Sequence, residues 1–232
     1  KITRFFNQWI HSPKLNLGLF PEWFAPPQRD WPINTRLTGF ILPESEERLL
    51  SSETISFLQK GTAPLVFTAG TAMLHTEEFF QTAIQATRKL NLRAILLTRL
   101  REQLPAQLPE FIHQAAFEPL QELLTKSSAL IYHGGIGSLA QALAAGVPQL
   151  VMPMSLDQPD NAARIKKLGV GDFVMPNQFK PNVVARKLDL LLNNPIVHEQ
   201  CNQLAGKVDF GKARSETCDL LEKFAANNLE QR

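Results

Sequence analysis

Cysteine is scarce: the chain of 232 residues holds only Cys201 and Cys218, each in a helical-looking segment. A disulfide framework is therefore excluded, and the expectation is free, buried thiols of a reducing compartment. No apolar run approaches the ~18 residues that a membrane span needs. Lysine and arginine form no dense run, and a net charge of +2 is too mild to indicate nucleic acid as a partner. His11, His75, His113 and His198 share no spacing with acids or cysteines, so no metal site is expected. No signal peptide is recognisable, and the first residue is Lys1 rather than methionine. The expectation is a piece of a longer cytoplasmic protein. What the chain does have is 44% hydrophobic residues, enough for a proper core in one large or two small domains.

The most informative stretch runs from Ala129 to Gly171. It reads as a strand over Ala129–Tyr132, a turn carrying Gly134, Gly135 and Gly137, and a helix over Ser138–Ala145. A second strand over Gln149–Met152 and a second helix over Asp160–Leu168 follow, each helix ended by glycine. Tandem strand-to-helix units predict a parallel sheet, which binds ligands where strands end and helices begin. Backbone N–H groups bared at a positive helix end are a seat for phosphate. The run from Gly135 to Ala140 also fits the dinucleotide fingerprint G-x-G-x-x-A. That reading wants an acid at the end of the next strand, whereas Asp157 lies five residues beyond Met152, past Pro153, where it is better placed to open a helix. Ser138 and Gln141 also form a Ser-x-x-Gln capping box that needs no ligand.

The full pattern is more particular: His133 before the glycines, Ser138-x-x-Gln141, Gly146-x-Pro148, and Asp157-Gln158. It resembles the donor-binding signature of nucleotide-sugar glycosyltransferases of the two-domain GT-B fold, especially the bacterial sterol, macrolide and glycolipid types and their plant natural-product relatives. The likeness extends more loosely from Asn34 to Gly206. By this resemblance His133 would contact the donor diphosphate, with Gly134, Gly135, Gly137 and Ser138 cradling it and Thr71, in Ala69-Gly70-Thr71, touching the donor as well. Gln141 would meet the ribose, where plant relatives carry a glutamate. Asp157 and Gln158 would hold sugar hydroxyls, and Phe117 would stack on the base. No Asp-x-Asp pair of the metal-dependent glycosyltransferases is present, so no cofactor is expected beyond a UDP- or dTDP-sugar donor. The acceptor implied is lipid-like or a small hydrophobic alcohol. The catalytic base is expected in an absent N-terminal domain, leaving this chain able to bind donor without turnover. A non-catalytic donor-binding subunit that docks on a separate acceptor chain is the alternative.

The remainder organises around this. Ile2, Phe5, Phe6 and Trp9 share a helical stripe that would pack on a missing partner, associate with a second copy or lie peripherally on a membrane. Leu15–Phe20 reads as a strand and Pro21–Pro32 as a stiff linker, so residues 1–33 are taken as the tail of the missing domain and 34–232 as the donor domain. Strands at Leu65–Thr68, Arg93–Thr98 and Phe111–Phe117 alternate with helices at Glu77–Leu90, capped by Thr76, and Leu120–Lys126. The fold class predicted is α/β, a doubly wound parallel sheet. After Gly171 helices alone are expected, at Pro181–Asn193, Val197–Lys207 and Ala213–Asn227. The last of these would hang loose without the domain it covers in relatives.

Overall fold

The structure, a computed structural model, describes residues 10–42, 49–70 and 76–229. The stripe Ile2, Phe5, Phe6, Trp9 and the candidate Thr71 lie outside the described residues. The chain divides into two compact units, Ser45–Lys207 and a smaller one of Lys1–Glu44 with Val208–Arg232.

The larger unit is built on a six-stranded, all-parallel sheet. Its strands are β3 (Leu65–Thr68), β4 (Ala94–Leu97), β5 (Ile112–Ala115), β6 (Ala129–Tyr132), β7 (Gln149–Val151) and β8 (Gly171–Phe173), in the spatial order β5-β4-β3-β6-β7-β8. The helices are α1 (Ser52–Gln59), α2 (Glu77–Lys89), α3 (Leu120–Leu124), α4 (Ile136–Ala145), α5 (Gln158–Lys167), α6 (Pro181–Leu192) and α7 (Pro195–Ala205). The chain winds outward from β3 to β5, returns to the centre, and winds the other way from β6 to β8. Right-handed crossovers running in opposite directions place their helices on opposite faces. Accordingly α2 packs on α6, whereas α4 packs on α3, α5 and α7. With both faces covered, every residue of β6 is fully buried, which explains its unbroken apolar run. Each such Leu or Ile contributes about 1.5–3 kcal/mol of burial. The doubly wound α/β sheet predicted from sequence is the fold observed.

Two elements here escape the sequence reading. The three-residue β8 contradicts the expectation of helices alone after Gly171; it pairs with β7 at Gln149↔Gly171, where a Cβ on Gly171 would fall 2.1 Å from the Gln149 carbonyl oxygen. A strand that short shows no period of its own. The other, α1, is opened by Ser51, whose hydroxyl accepts from the Thr54 amide at 3.3 Å.

In the smaller unit β1 (Asn16–Gly18) pairs in parallel with β2 (Thr35–Leu37), so the segment after residue 34 is stitched to the one before it. The prolines of 21–32 do not make an extended linker. Phe24 and Ala25 are buried, the Phe24 amide donates to the Pro21 carbonyl, and Phe24 packs edge-on against Phe20, Trp23 and Phe40. Nor does the last helix, α8 (Phe210–Leu229), hang loose: buried Thr217 donates to the Thr38 hydroxyl at 2.8 Å, and Ala213 sits where a Cβ on Gly39 would meet it at 2.9 Å. Cys201 is buried, with its thiol pushed up to about 12 by burial, but Cys218 is exposed, contrary to expectation. No described helix is long and apolar enough to cross a membrane.

Candidate functional site

In a doubly wound sheet the strands on either side of the winding reversal send their outgoing loops apart, which opens a crevice at their carboxyl ends. Here those strands are β3 and β6, paired with Thr68 opposite Tyr132. A cavity of about 600 Å³ opens just beyond them, within the size range of ligand pockets. It is lined by His133, Gly135, Gly137, Ser138, Gln141 and Phe117 among the residues singled out from sequence. Gly134, Asp157 and Gln158 do not line it. Gly70, from the small-residue turn Ala69-Gly70-Thr71, also lines it, as do Thr68, Arg99 and Glu118, to which motif spacing did not point.

His133 is held by backbone rather than by side chains. A Cβ on Gly70 would lie 2.7 Å from the imidazole Cε1, and one on Gly135 would lie 2.5 Å from Nε2, so the ring fits only because both neighbours lack side chains. Gly134 takes φ +96°, a left-handed region that other residues enter only with strain, and its missing Cβ avoids Val151 at 2.7 Å. Burial holds the His133 imidazole below the ordinary histidine range, partly offset by the negative charge of Asp157. At neutral pH the ring is therefore uncharged, and its buried Nδ1 has no hydrogen-bond partner.

Helix α4 begins two residues earlier than the sequence suggests, at Ile136 rather than Ser138. Gly135 is its N-cap, no side chain caps it, and Ser138 lies inside the first turn. The expected Ser138/Gln141 capping box does not form; instead the Gln141 side-chain amide donates back to the Gly137 carbonyl at 3.1 Å. The box fails because Gly135, with φ −64° and ψ 137°, already supplies the extended residue from which the helix starts. The first amides of an α-helix have no intrahelical acceptor, and those of Ile136, Gly137 and Ser138 belong to residues lining the cavity. A Cβ on Gly137 would meet nothing within 4 Å, so this glycine answers no packing need inside the protein and leaves room at the helix start.

Asp157 and Gln158 stand at the head of α5. Asp157 occupies the N-cap position but makes no capping bond; its carboxylate accepts from the Asn161 side chain at 2.8 Å. Asn161, buried and missed by the sequence reading, also donates to the Gly134 carbonyl at 3.0 Å. It thereby ties α5 to the glycine turn. Its only signal in the sequence is a polar residue at a position that the helical period makes inward-facing. The Gln158 side-chain oxygen accepts from the amides of Met154 and Ser155 at 2.8 and 3.1 Å, closing the β7–α5 loop in which Leu156 takes φ +56°. Among the described residues no group of three or more His, Cys, Asp or Glu is placed to hold a metal ion.

Residues 89–217, more than half of the chain, match the family described as erythromycin biosynthesis protein CIII-like, C-terminal domain. The chain belongs to this family. The CIII-like match takes in Phe117, the glycine turn, α4 and α5, while β3 and Gly70 precede it. Among curated relatives, O-mycaminosyltylonolide 6-deoxyallosyltransferase of Streptomyces fradiae is 26% identical over 219 residues, covering 93% of this chain and 51% of that protein. The NDP-glycosyltransferase YjiC of Bacillus licheniformis is 24% identical, covering 95% and 56%. The chain thus spans about half the length of the curated relatives it matches. Among solved GT-B structures, the glycosyltransferase of kitacinnamycin superposes with a TM-score of 0.74 at 19% identity over 91% of this chain and 55% of that one. The calicheamicin glycosyltransferase CalG4 gives 0.72 at 20%, over 92% and 54%. At such identities these two establish the fold alone.

Proposed function

We propose that this chain is the donor-binding half of an inverting glycosyltransferase, moving a hexose from a UDP- or dTDP-sugar to a hydroxyl of a lipid-like or small hydrophobic acceptor. The observation that carries this reading is the uncapped start of α4 beside His133, both lining one cavity at the winding reversal with Phe117. Breaking the sugar–phosphate bond drives negative charge onto the departing nucleoside diphosphate. Groups fixed where that charge grows lower the barrier more than they favour the ground state. The amides of Gly135, Ile136, Gly137 and Ser138 would supply oriented donors and the positive helix end. His133, uncharged when the site is free, would become a better donor as the diphosphate draws a proton onto it. Phe117, 52% exposed, offers a ring face for a base. Gln141 would reach the ribose. Asp157 and the Nε2 group of Gln158, whose oxygen already closes its loop, would meet sugar hydroxyls.

The residues that would deprotonate the acceptor belong, on this reading, to an N-terminal domain, to which residues 1–33 would be the tail. No resident cofactor is invoked, because the helix end and His133 would meet the leaving charge.

Calorimetric titration of the chain with UDP, dTDP, GDP and NAD tests the proposal. UDP or dTDP should bind in preference to GDP, unchanged by EDTA, with no sugar transfer by residues 1–232 alone. Binding of NAD and of none of the others would replace this reading with a dinucleotide site.

A further inference from the structure

Among the described residues, Glu118 is the one acidic residue lining the cavity, and it is only 5% exposed. A buried carboxylate costs free energy unless donors compensate it, and facing an anionic ligand it would oppose binding. Its surroundings account for it. The Glu118 carboxylate accepts from the Ser51 amide at 3.1 Å, from the Ser51 hydroxyl at 2.5 Å and from the Thr54 hydroxyl at 2.5 Å. These donors sit at the N-cap and in the first turn of α1, 64 and 67 residues away in the chain. Ser51 is oriented in turn, because its hydroxyl oxygen accepts from the Thr54 amide. The single proton of the Thr54 hydroxyl goes to Glu118, so the 2.9 Å contact between Thr54 and His113 runs from the imidazole Nε2–H to the threonine oxygen. His113 lies on β5 and stacks on Phe57 of α1, over which the Arg93 guanidinium sits at 4.0 Å. The carboxylate is thus locked to α1 and, through Thr54, to the strand that leads to its own residue.

Phe117, the residue before it, lines the cavity and is 52% exposed. Adjacent side chains here do opposite things: one is clamped inside and the other is presented outward.

We infer that Glu118 is a positioning residue for nucleotide recognition, anchoring the Phe117–Pro119 segment to α1 so that the Phe117 ring is held ready to stack on a base. This rests on the donor-site reading above and adds to it a determinant that touches no ligand. The consequence is specific: untying Glu118 impairs recognition of the base and leaves the diphosphate seat at α4 intact.

The test compares two probes, UDP and inorganic pyrophosphate, by calorimetry on the full chain carrying Glu118→Val or Thr54→Val, with Phe117→Ala as reference. Thr54→Val removes one donor and keeps the carboxylate and the cap, so it reports even if Glu118→Val does not fold. The expected result is that both variants weaken UDP by about tenfold, as Phe117→Ala does, with pyrophosphate unchanged. In Glu118→Val with Phe117→Ala, the second change should add little, since both remove the same stacking. Equal weakening of UDP and pyrophosphate would reduce Glu118 to a general structural role, and unchanged UDP binding would remove the role altogether. If Phe117→Ala itself leaves UDP binding unaltered, the assignment of the base site fails instead. If Phe117→Ala weakens UDP and the tether variants do not, only the inference about Glu118 fails.

Discussion

Replacing Gly137 by alanine separates ligand binding from folding. Gly137 lies in the first turn of α4, and a Cβ built there meets no atom within 4 Å. The folded protein should therefore accept alanine without strain and gain from its better helix propensity, by about 0.5–1 kcal/mol in a helix interior and toward the lower figure at a terminus. For a chain of this size that corresponds to a rise in Tm of roughly 1–4 °C. A ligand phosphate seated on the Gly137 amide would meet the new methyl group. Losing one hydrogen bond to a charged group costs about 1.5–3 kcal/mol, which is roughly a 10- to 150-fold weaker Kd. Differential scanning calorimetry and titration with UDP on the same preparation give both numbers. Gly134→Ala is the opposite case: φ is +96° and its Cβ would sit 2.7 Å from Val151, so it should lower Tm outright. A Gly137→Ala protein that binds UDP like the wild type would refute the placement of the diphosphate at this helix end, and one that melts earlier would refute the open space around the Gly137 Cβ.

His133→Gln should abolish a pH dependence that the wild type displays. The free imidazole is held below its ordinary value by burial, and a bound diphosphate favours the charged ring, so binding takes up a proton. Wild-type UDP affinity should rise as pH falls through the window between the free and bound values, by at most about tenfold per pH unit; the glutamine variant should keep only the ligand's own titration. Because burial depresses both His133 and His113, each contributes stability that is present above the ordinary histidine pKa of about 6.5 and lost as pH falls through the depressed value. Tm measured from pH 7 to pH 5 should fall accordingly. Asn161→Ala removes the donor to Gly134 and should destabilise by about 1–3 kcal/mol while weakening UDP, read by urea unfolding and calorimetry. Gly171→Ala would drive a methyl group to 2.1 Å from the Gln149 carbonyl and should sharply reduce soluble, folded protein.

The strand, turn and helix around the glycines were legible because hydrophobic period and glycine punctuation are local. The ranges read for β3 and β6 agree with those observed, and α4 differs only at its start. Where local rules compete, tertiary context decided. The Ser138/Gln141 pair satisfies a capping pattern, but the extended Gly135 starts the helix before the pattern can act. Thr76 precedes α2 as expected yet makes no capping bond; its hydroxyl and amide both go to the Gln103 side chain.

Taken by itself, the sequence determined the class of fold and the glycine-rich strand-to-helix turn, since neighbouring residues dictate both. It could not decide that β3 pairs with β6 and brings Gly70 against His133, or that Asn161 reaches Gly134. Nor could it show that a glutamate beside Phe117 is anchored to a helix some 64 residues earlier in the chain. Those contacts join residues far apart along the backbone. Their geometry exists only once the sheet's winding order has closed the loops between them, and a one-dimensional pattern carries no record of that order.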